Sequence, residues 1–274
     1  MAELGIVDIR EIIGVIKNVY QYDFSQHALT SFKQRLERLM RIQAIGSADG
    51  IIKKLKEDQG YFDTFLHEMS VPSTEMFRDP SLWRWLREEY FPKNIDKSPG
   101  KYKIWLPACT SGGELYSLTI VLAESGLTDN VQIIATCMSE KSLELIRSGV
   151  YDLKKVEVSQ ENYKRFNGTR DLPVYYKPGK DNVIRDTSLI ESVEFRKVNL
   201  NFDNMPQNVK LILFRNTLIY YNPTRQETVL QYMYRALSVT GHLVLGIREK
   251  ITGLLSARDF EFMNEAESVY RKKI

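Results

Sequence analysis

Residues 103–117 read K-I-W-L-P-A-C-T-S-G-G-E-L-Y-S, and their order decides the fold class. Ile104, Trp105 and Leu106 form the short apolar run that a buried strand needs. Small and turn-forming residues follow from Ala108 to Gly113, and Glu114 then opens a helical segment from Leu115 to Ala123. Strand, glycine turn and helix in this order build the nucleotide crevice of an open α/β sheet. Glycine lets backbone approach a ligand at the carboxyl end of the strand. No G-K-[ST] follows the glycines, so a lysine-tipped phosphate loop is excluded. Glu114 would repel a pyrophosphate at the helix N-terminus, and it suits a ligand carrying hydroxyls or positive charge. The same turn fits a plain strand-to-helix connection, and the stretch alone does not separate the two.

Outward from this turn, strands and helices alternate from Lys101 onward, which argues for a parallel sheet with crossover helices. Strands are predicted at 104–106, 131–135, 193–198, 211–214 and 243–245. Helices are predicted at 114–124, 140–148, 161–166 and 224–237. Between Leu172 and Glu191 the pattern breaks. Pro173, Pro178, Gly179 and Asp181-Asn182 alternate with Val174-Tyr175-Tyr176 and Val183-Ile184, which predicts a small antiparallel hairpin inserted at about 172–192. An open hairpin edge can accept an extended peptide as an added strand, or the hairpin is a plain surface excursion.

Upstream, residues 1 to about 95 read as helical. Val7 to Val19 has helical spacing, interrupted by Gly14, and a second segment runs from Phe24 to about Ile45. On that second segment Arg35, Arg38 and Arg41 fall in one row, which fits a solvated basic face or a docking face for an acidic helix. Short helices follow at 51–58 and 61–68. Pro72 and Pro80 bracket a rigid, non-helical connector, and Leu82, Trp85, Leu86 and Tyr90 form a helix predicted to end before Pro92. The polar run 93–100 reads as a linker, giving a helical domain at 1–97 and an α/β domain at 98–274.

Composition narrows the function classes. At 274 residues, with 43% hydrophobic and 27% charged residues, the chain is of the soluble globular kind. No window approaches the ~18 apolar residues of a membrane span. The N-terminus has acids inside its apolar run, against a signal peptide. Two cysteines fit a reducing cytosol. A net charge of +3 is no argument for nucleic acid, and the histidines at 27, 67 and 242 have no metal-ligand spacing. The expectation is a cytoplasmic monomer with no metal, no nucleic acid and no membrane insertion.

Six ordered segments then resemble one family, the CheR-type chemoreceptor glutamate methyltransferases, which use S-adenosylmethionine. They are T-E-M-F-R-D-P (74–80), W-L-P-A-C-T-S-G-G-E-L-Y-S (105–117), A-T-C-M-S-E-K-S-L-E-L-I-R-S-G-V-Y (135–151), V-N-L (198–200), L-F-R-N-T-L-I-Y-Y (213–221) and L-V-L-G-I-R-E (243–249). The resemblance implies a Rossmann-like methyltransferase sheet with a small antiparallel insert, preceded by an all-α N-terminal domain. It implies S-adenosylmethionine as cofactor and S-adenosylhomocysteine as product, with chemoreceptor cytoplasmic helices as partner. By position, Glu114 matches the acid of the first-strand loop that faces the cofactor's methionine end. Thr74 and Arg78 match connector residues that close over the cofactor, and Asn199 and Leu200 match residues beside the adenine. Arg215 and Asn216 match the family's R-N pair, and Tyr220 matches the tyrosine near the transferred methyl. Arg78 and Tyr220 are the implied catalytic residues, and the row Arg35, Arg38 and Arg41 corresponds to the basic helix that faces receptor helices.

The sequence also departs from the family pattern. Cys137 stands where the family usually has the aspartate that accepts from both ribose hydroxyls, and a thiol is a poor acceptor. Ser139 and Glu140 lie near it but out of register. Gly113 replaces the first acid of the glycine loop, Pro72 replaces an asparagine, and G-I-R-E (246–249) stands for G-H-S-E. Two readings follow. One is an active protein-glutamate O-methyltransferase of chemotaxis adaptation. The other is a catalytically weak or inactive relative that binds receptors or a signalling partner.

Overall fold

The computed structural model describes residues 4–70, 75–96, 102–199, 203–251 and 259–273. Helix α1 (Ile6–Tyr20) buries Ile9, Ile12, Ile13 and Ile16 on one face, the 3.6-residue pattern that its isoleucines dictate. Gly14 does not interrupt it, because the tertiary burial of that face outweighs one poor helix former. Helix α2 (Leu29–Ile42) begins later than its sequence pattern suggests. The reason is that residues 26–28 spend their backbone groups elsewhere: Ala28 N–H donates to Tyr220 C=O (2.9 Å) and Gln26 C=O accepts from Asn222 N–H (3.0 Å). Helices α3 (Ala48–Glu57) and α4 (Tyr61–Met69) complete a separate apolar core that includes Phe32, Leu36, Leu39 and Phe65.

From Met76 onward the apolar side chains join the core beneath the sheet instead. Helix α5 (Pro80–Trp85) continues through a π-helical turn, Leu86–Tyr90, into α6 (Phe91–Asn94). The expected stop before Pro92 is therefore corrected. Proline lacks an N–H and its ring clashes with the carbonyl four residues back. Widening the turn, with Phe91 N–H donating to Leu86 C=O, lets the chain pass Pro92 without breaking.

The main sheet runs β6 (Glu194–Lys197), β2 (Val131–Cys137), β1 (Tyr102–Leu106), β7 (Val209–Leu213), β8 (Leu237–Val244), β10 (Val269–Lys272), β9 (Phe260–Asn264). The strands from β6 to β8 are parallel, while β10 and β9 form an antiparallel hairpin at one edge that the sequence pattern did not predict. Helices α7 (Gly113–Glu124), α8 (Glu140–Arg147), α9 (Val156–Phe166) and α10 (Pro223–Ala236) cover the faces. Helix α7 is buried from Leu115 to Leu122, as expected for an element sandwiched on both sides. The predicted hairpin is present as β4 (Tyr176–Pro178) and β5 (Asn182–Arg185), but a further strand, β3 (Val150–Asp152), pairs with β5 to make a three-stranded sheet. The predicted linker 93–100 begins later than expected, since Lys93 and Asn94 still belong to α6, and residues 97–100 lie outside the described residues.

Because strand order reverses between β1 and β7, the crevice at their carboxyl ends is the topological switch point where such sheets take ligands. The helical domain is fastened beside it. The Asp63 carboxylate accepts from the N–H groups of Glu140 and Lys141 (2.9 Å each), capping α8, and pairs with Lys197 at 2.8 Å. His67 Nδ1 meets Ser142 Oγ at 2.9 Å.

Gly14 has nothing within 4 Å of where a Cβ would stand. Gly14→Ala is therefore expected to raise stability by about 0.5–1 kcal/mol through helix propensity. Denaturant titration checks this, and an unchanged or lowered midpoint would contradict an uninterrupted α1.

Candidate active site

Two adjoining cavities lie at the switch point. The first is lined by Leu106 and Ala108 to Leu115 after β1, and by Leu213, Arg215 and Thr217 at the end of β7. The second shares Ala108, Cys109, Thr110 and Thr217 and extends to Cys137, Met138, Val198 and Asn199. Its remaining wall comes partly from the helical domain, through His27, Arg35, Met69 and Ser70, and partly from Tyr220 and Tyr221. Gly112 begins α7 at φ +75°, a left-handed conformation natural to glycine, and a Cβ there would press on Ile146.

Arg215 is the centre of the first cavity's electrostatics. Its Nη1 donates to Glu114 Oε1 at 2.8 Å and its Nη2 to Asp79 Oδ2 at 2.5 Å, with the Arg78 carbonyl at 3.4 Å. The Arg215 side chain is only 3% exposed, while both carboxylates keep about a quarter of their surface, 24% and 25%. Behind it, Glu249 is buried and its carboxylate accepts from the N–H groups of Asn216 (2.8 Å), Gly246 (2.8 Å) and Ile219 (3.3 Å). It thereby fixes the loop in which Asn216 adopts φ 54°. Asp79 and Glu114 thus share one guanidinium, and Glu249 lies near enough to Glu114 to add to a surplus of negative charge. Burial pushes Glu114 above the usual carboxylate range; Glu249 and Asp79 add to this and Arg215 opposes it.

The connector presents Asp79 in a left-handed conformation (φ 55°), as it does Phe77 (φ 54°). It is held there by Phe77 N–H donating to Ser117 Oγ (2.8 Å) and Met76 N–H donating to Tyr151 Oη and Ser159 Oγ. Arg78 is looser, 41% exposed and 3.9 Å from Glu75.

In the second cavity, the Arg35 guanidinium lies 4.0 Å from the Tyr220 ring centroid and donates to Met69 C=O at 2.5 Å. Arg35 is part-buried, whereas Arg38 and Arg41 are exposed and Arg38 pairs with Glu68 at 3.1 Å. The expected row of three is therefore split: its first member faces the cavity, because α2 packs its inner face over the Tyr220 loop. Burial, with Arg225 and Arg35 near, holds His27 neutral with a pKa of about 3. Asn199 lines the cavity and donates to Asp203 Oδ2 at 2.6 Å. Cys109 and Cys137 are both buried free thiols on the cavity wall, and burial raises both. Neither neighbour of Cys137 replaces a ribose acceptor. Ser139 is buried and its Oγ accepts from Ser142 N–H, and Glu140 is exposed and turned to Arg147. Thr74 and Leu200 lie outside the described residues.

Family comparison decides what this crevice holds. A family model described as CheR methyltransferase, SAM binding domain, matches residues 72–268, and one described as CheR methyltransferase, all-alpha domain, matches residues 7–70. The chain belongs to the CheR methyltransferase family. It is 31% identical over 266 residues, 97% of each chain, to a Pseudomonas putida protein named "Putative methyltransferase Cher3". It is 27% identical to a chemotaxis protein methyltransferase of Listeria monocytogenes, over 86% of this chain and 87% of that one. It is 33% identical to a chemotaxis protein methyltransferase of Vibrio parahaemolyticus, over 68% of this chain and 67% of that one.

As a CheR methyltransferase the chain is S-adenosylmethionine-dependent, and the crevice fits that cofactor's chemistry. An acid surplus suits its cationic end. Ser111 Oγ, buried on the first cavity's wall, has no hydrogen-bond partner among the described residues. The weak point of the fit is Cys137. Asp79 and Glu249 are the site residues that sequence reading missed. Both lie in segments that carry the family resemblance, R-D-P and G-I-R-E, and nothing in the spacing of those segments shows that the two acids converge on the loop after β7.

Removing one partner from a buried ion pair typically costs about 3–5 kcal/mol. Arg215→Met is therefore expected to lower stability by roughly that amount, and adding Asp79→Asn to recover part of the loss. Paired denaturation curves measure this, and additive losses would contradict the shared guanidinium.

Proposed function

We propose that this CheR methyltransferase transfers methyl groups to glutamate side chains on the cytoplasmic helices of bacterial chemoreceptors, as a protein-glutamate O-methyltransferase of chemotaxis adaptation acting in the cytoplasm. The observation that carries the reading is the placement of charge. Carboxylates crowd the first cavity, and cations, Arg35 and Arg78, stand at Tyr220 and on the connector. Relatives named as chemotaxis protein methyltransferases support the assignment to chemotaxis. Among the described residues, no helix is long and apolar enough to cross a membrane.

Bound S-adenosylmethionine supplies the methyl group on a sulfonium. The acceptor is a glutamate carboxylate, already ionised at neutral pH with a reference pKa of about 4.3, so no general base is required. The protein's work is alignment and exclusion of water. Glu114 offers its second carboxylate oxygen to the cationic end, while Arg215 holds the first. Asn216, fixed by Glu249, and Asn199 act as further cofactor-binding groups; Thr74 and Leu200 are assigned to the same task on sequence grounds alone. Arg78 is mobile enough to hold the incoming carboxylate by charge-assisted hydrogen bonds. Tyr220, its ring covered by Arg35, orients the same group. Arg38 and Arg41 on the exposed face of α2 attract the acidic receptor helix, which speeds encounter more than it strengthens binding.

The buried thiol at Cys137 favours a second reading, a weakly catalytic or inactive module that docks on receptors or a signalling partner. Calorimetric titration with S-adenosylmethionine and S-adenosylhomocysteine separates the two. Binding in the roughly micromolar range, weakened about tenfold or more by Glu114→Gln, is expected of the enzyme. Labelled methyl should also appear, base-labile, on receptor cytoplasmic fragments. Undetectable or millimolar binding of both ligands would leave only the module.

Only ionised Glu114 attracts a cation, and its pKa lies above the usual range. Affinity for S-adenosylmethionine is therefore expected to fall as pH drops from 7 toward 5, and Glu114→Gln to flatten that dependence. A pH-independent affinity in the parent protein would count against Glu114 as the cation's partner.

A further inference from the structure

Arg185, at the end of β5, is 1% exposed and has no carboxylate partner among the described residues. A buried guanidinium is expensive, and evolution normally pairs it. Here its Nε donates to Gly149 C=O (3.2 Å), and its Nη2 to Val150 C=O (3.2 Å) and Ser111 C=O (2.8 Å). The ring faces of Tyr116 (4.0 Å) and Tyr151 (4.8 Å) flank it. Nη1 is buried with no partner among the described residues. Burial lowers its pKa to about 10, so it remains a cation at neutral pH. Two of the three carbonyls belong to β3 or the residue before it, a local tie that an apolar side chain could replace by packing. The third belongs to the glycine turn, immediately before Gly112.

We propose that Arg185 is a positioning residue for the cofactor loop, by which the three-stranded insert sets the orientation of the Ser111–Gly112 peptide. This rests on the reading of that turn as the cofactor site. A trans peptide points its C=O and N–H in opposite directions. Holding the Ser111 carbonyl on Arg185 therefore turns the Gly112 N–H away from the insert and toward the crevice that Gly112 lines. The backbone beneath is also fixed. Arg185 N–H donates to Gly149 C=O at 2.9 Å, and a Cβ on Gly149 (φ +71°) would meet the Arg185 carbonyl oxygen at 2.6 Å. The insert is then part of the cofactor site's frame, whatever else its edges bind.

The test compares Arg185→Met and Arg185→Lys with Val183→Ala, a cavity variant in the same strand where Val183 is buried. Each is measured for thermal midpoint, for S-adenosylhomocysteine affinity, and for hydrogen exchange at the amides of residues 111–115 without ligand. Arg185→Met is expected to keep a near-parent midpoint, weaken affinity about tenfold or more, and raise exchange at these amides. Arg185→Lys, able to reach one carbonyl, is expected to recover part of the affinity. Val183→Ala is expected to lower the midpoint while leaving affinity within about twofold. Equal affinity and exchange in Arg185→Met and parent overturn the proposal, as does an affinity loss in Val183→Ala matching that of Arg185→Met. If Arg185→Met does not fold, Arg185→Lys decides by the same exchange and affinity criteria. A parent protein that binds no cofactor refutes the function reading instead, and the exchange data on ligand-free protein still decide this one.

Discussion

One guanidinium joins three stretches of chain that are remote in sequence. Arg215 ends β7, Glu114 opens α7, and Asp79 closes the connector, and all three meet through two short hydrogen-bonded ion pairs. The connector must adopt left-handed φ values at Phe77 and Asp79 to bring its acid there, a conformation costing on the order of 1–2 kcal/mol per non-glycine residue. It holds because the surroundings over-determine it. Ser117 Oγ takes the Phe77 N–H, Tyr151 and Ser159 take the Met76 N–H, and Phe77 packs against Tyr163 and Phe166. Strain of this kind concentrates where a fixed geometry serves a ligand. Releasing Arg215 would free the connector and the first turn of α7 together.

Carboxylates elsewhere in the molecule do a similar job on backbone donors. Glu249 gathers the loose N–H groups of the loop after β7, and Asp63 caps α8 from the other domain. Each leaves its loop with little freedom, because a charged acceptor holds donors about twice as strongly as a neutral one. The second cavity is walled by both domains. Asp63, His67 and the bridge at Ala28 and Tyr220 fasten them on either side of it.

The parallel sheet, the glycine turn after its first strand and the helical leader were legible because they rest on local pattern: apolar runs, turn residues and helical periodicity. The edge hairpin β9–β10 was not, since an antiparallel edge lies half in solvent and Phe262 and Met263 stay exposed, blurring the alternation. Pro92 misled because a proline rule written for α-helices does not anticipate a π-turn. At the site, Glu114 and Arg215 were visible as motif members. Their bond to each other, and to Asp79, was not, because ion pairing across a fold leaves no trace in spacing. Arg35 shows the same limit. Its period placed it with Arg38 and Arg41, yet the inner edge of an amphipathic helix is set by what packs on it, here the Tyr220 loop.

On the proposed reading of the crevice as a methyltransferase site, the thiol at Cys137 changes how it discriminates. A carboxylate at the end of β2 would put negative charge at both ends of the site. With a neutral, buried thiol there, the acids paired with Arg215, Asp79 and Glu114, stand at one end only, and the far wall, Cys137, Met138 and Val198, is apolar apart from Asn199. A ligand spanning both cavities would then meet the acids at one end and, across from Arg35, a mostly apolar wall at the other. Losing a pair of ribose hydrogen bonds weakens such binding by on the order of 1–3 kcal/mol. On the same reading the charged end is unaffected, so a larger share of the remaining affinity would come from the sulfonium and ammonium groups. A site built this way should lean more heavily on the charge that methyl transfer removes, and so release its demethylated product more readily than one anchored at the ribose.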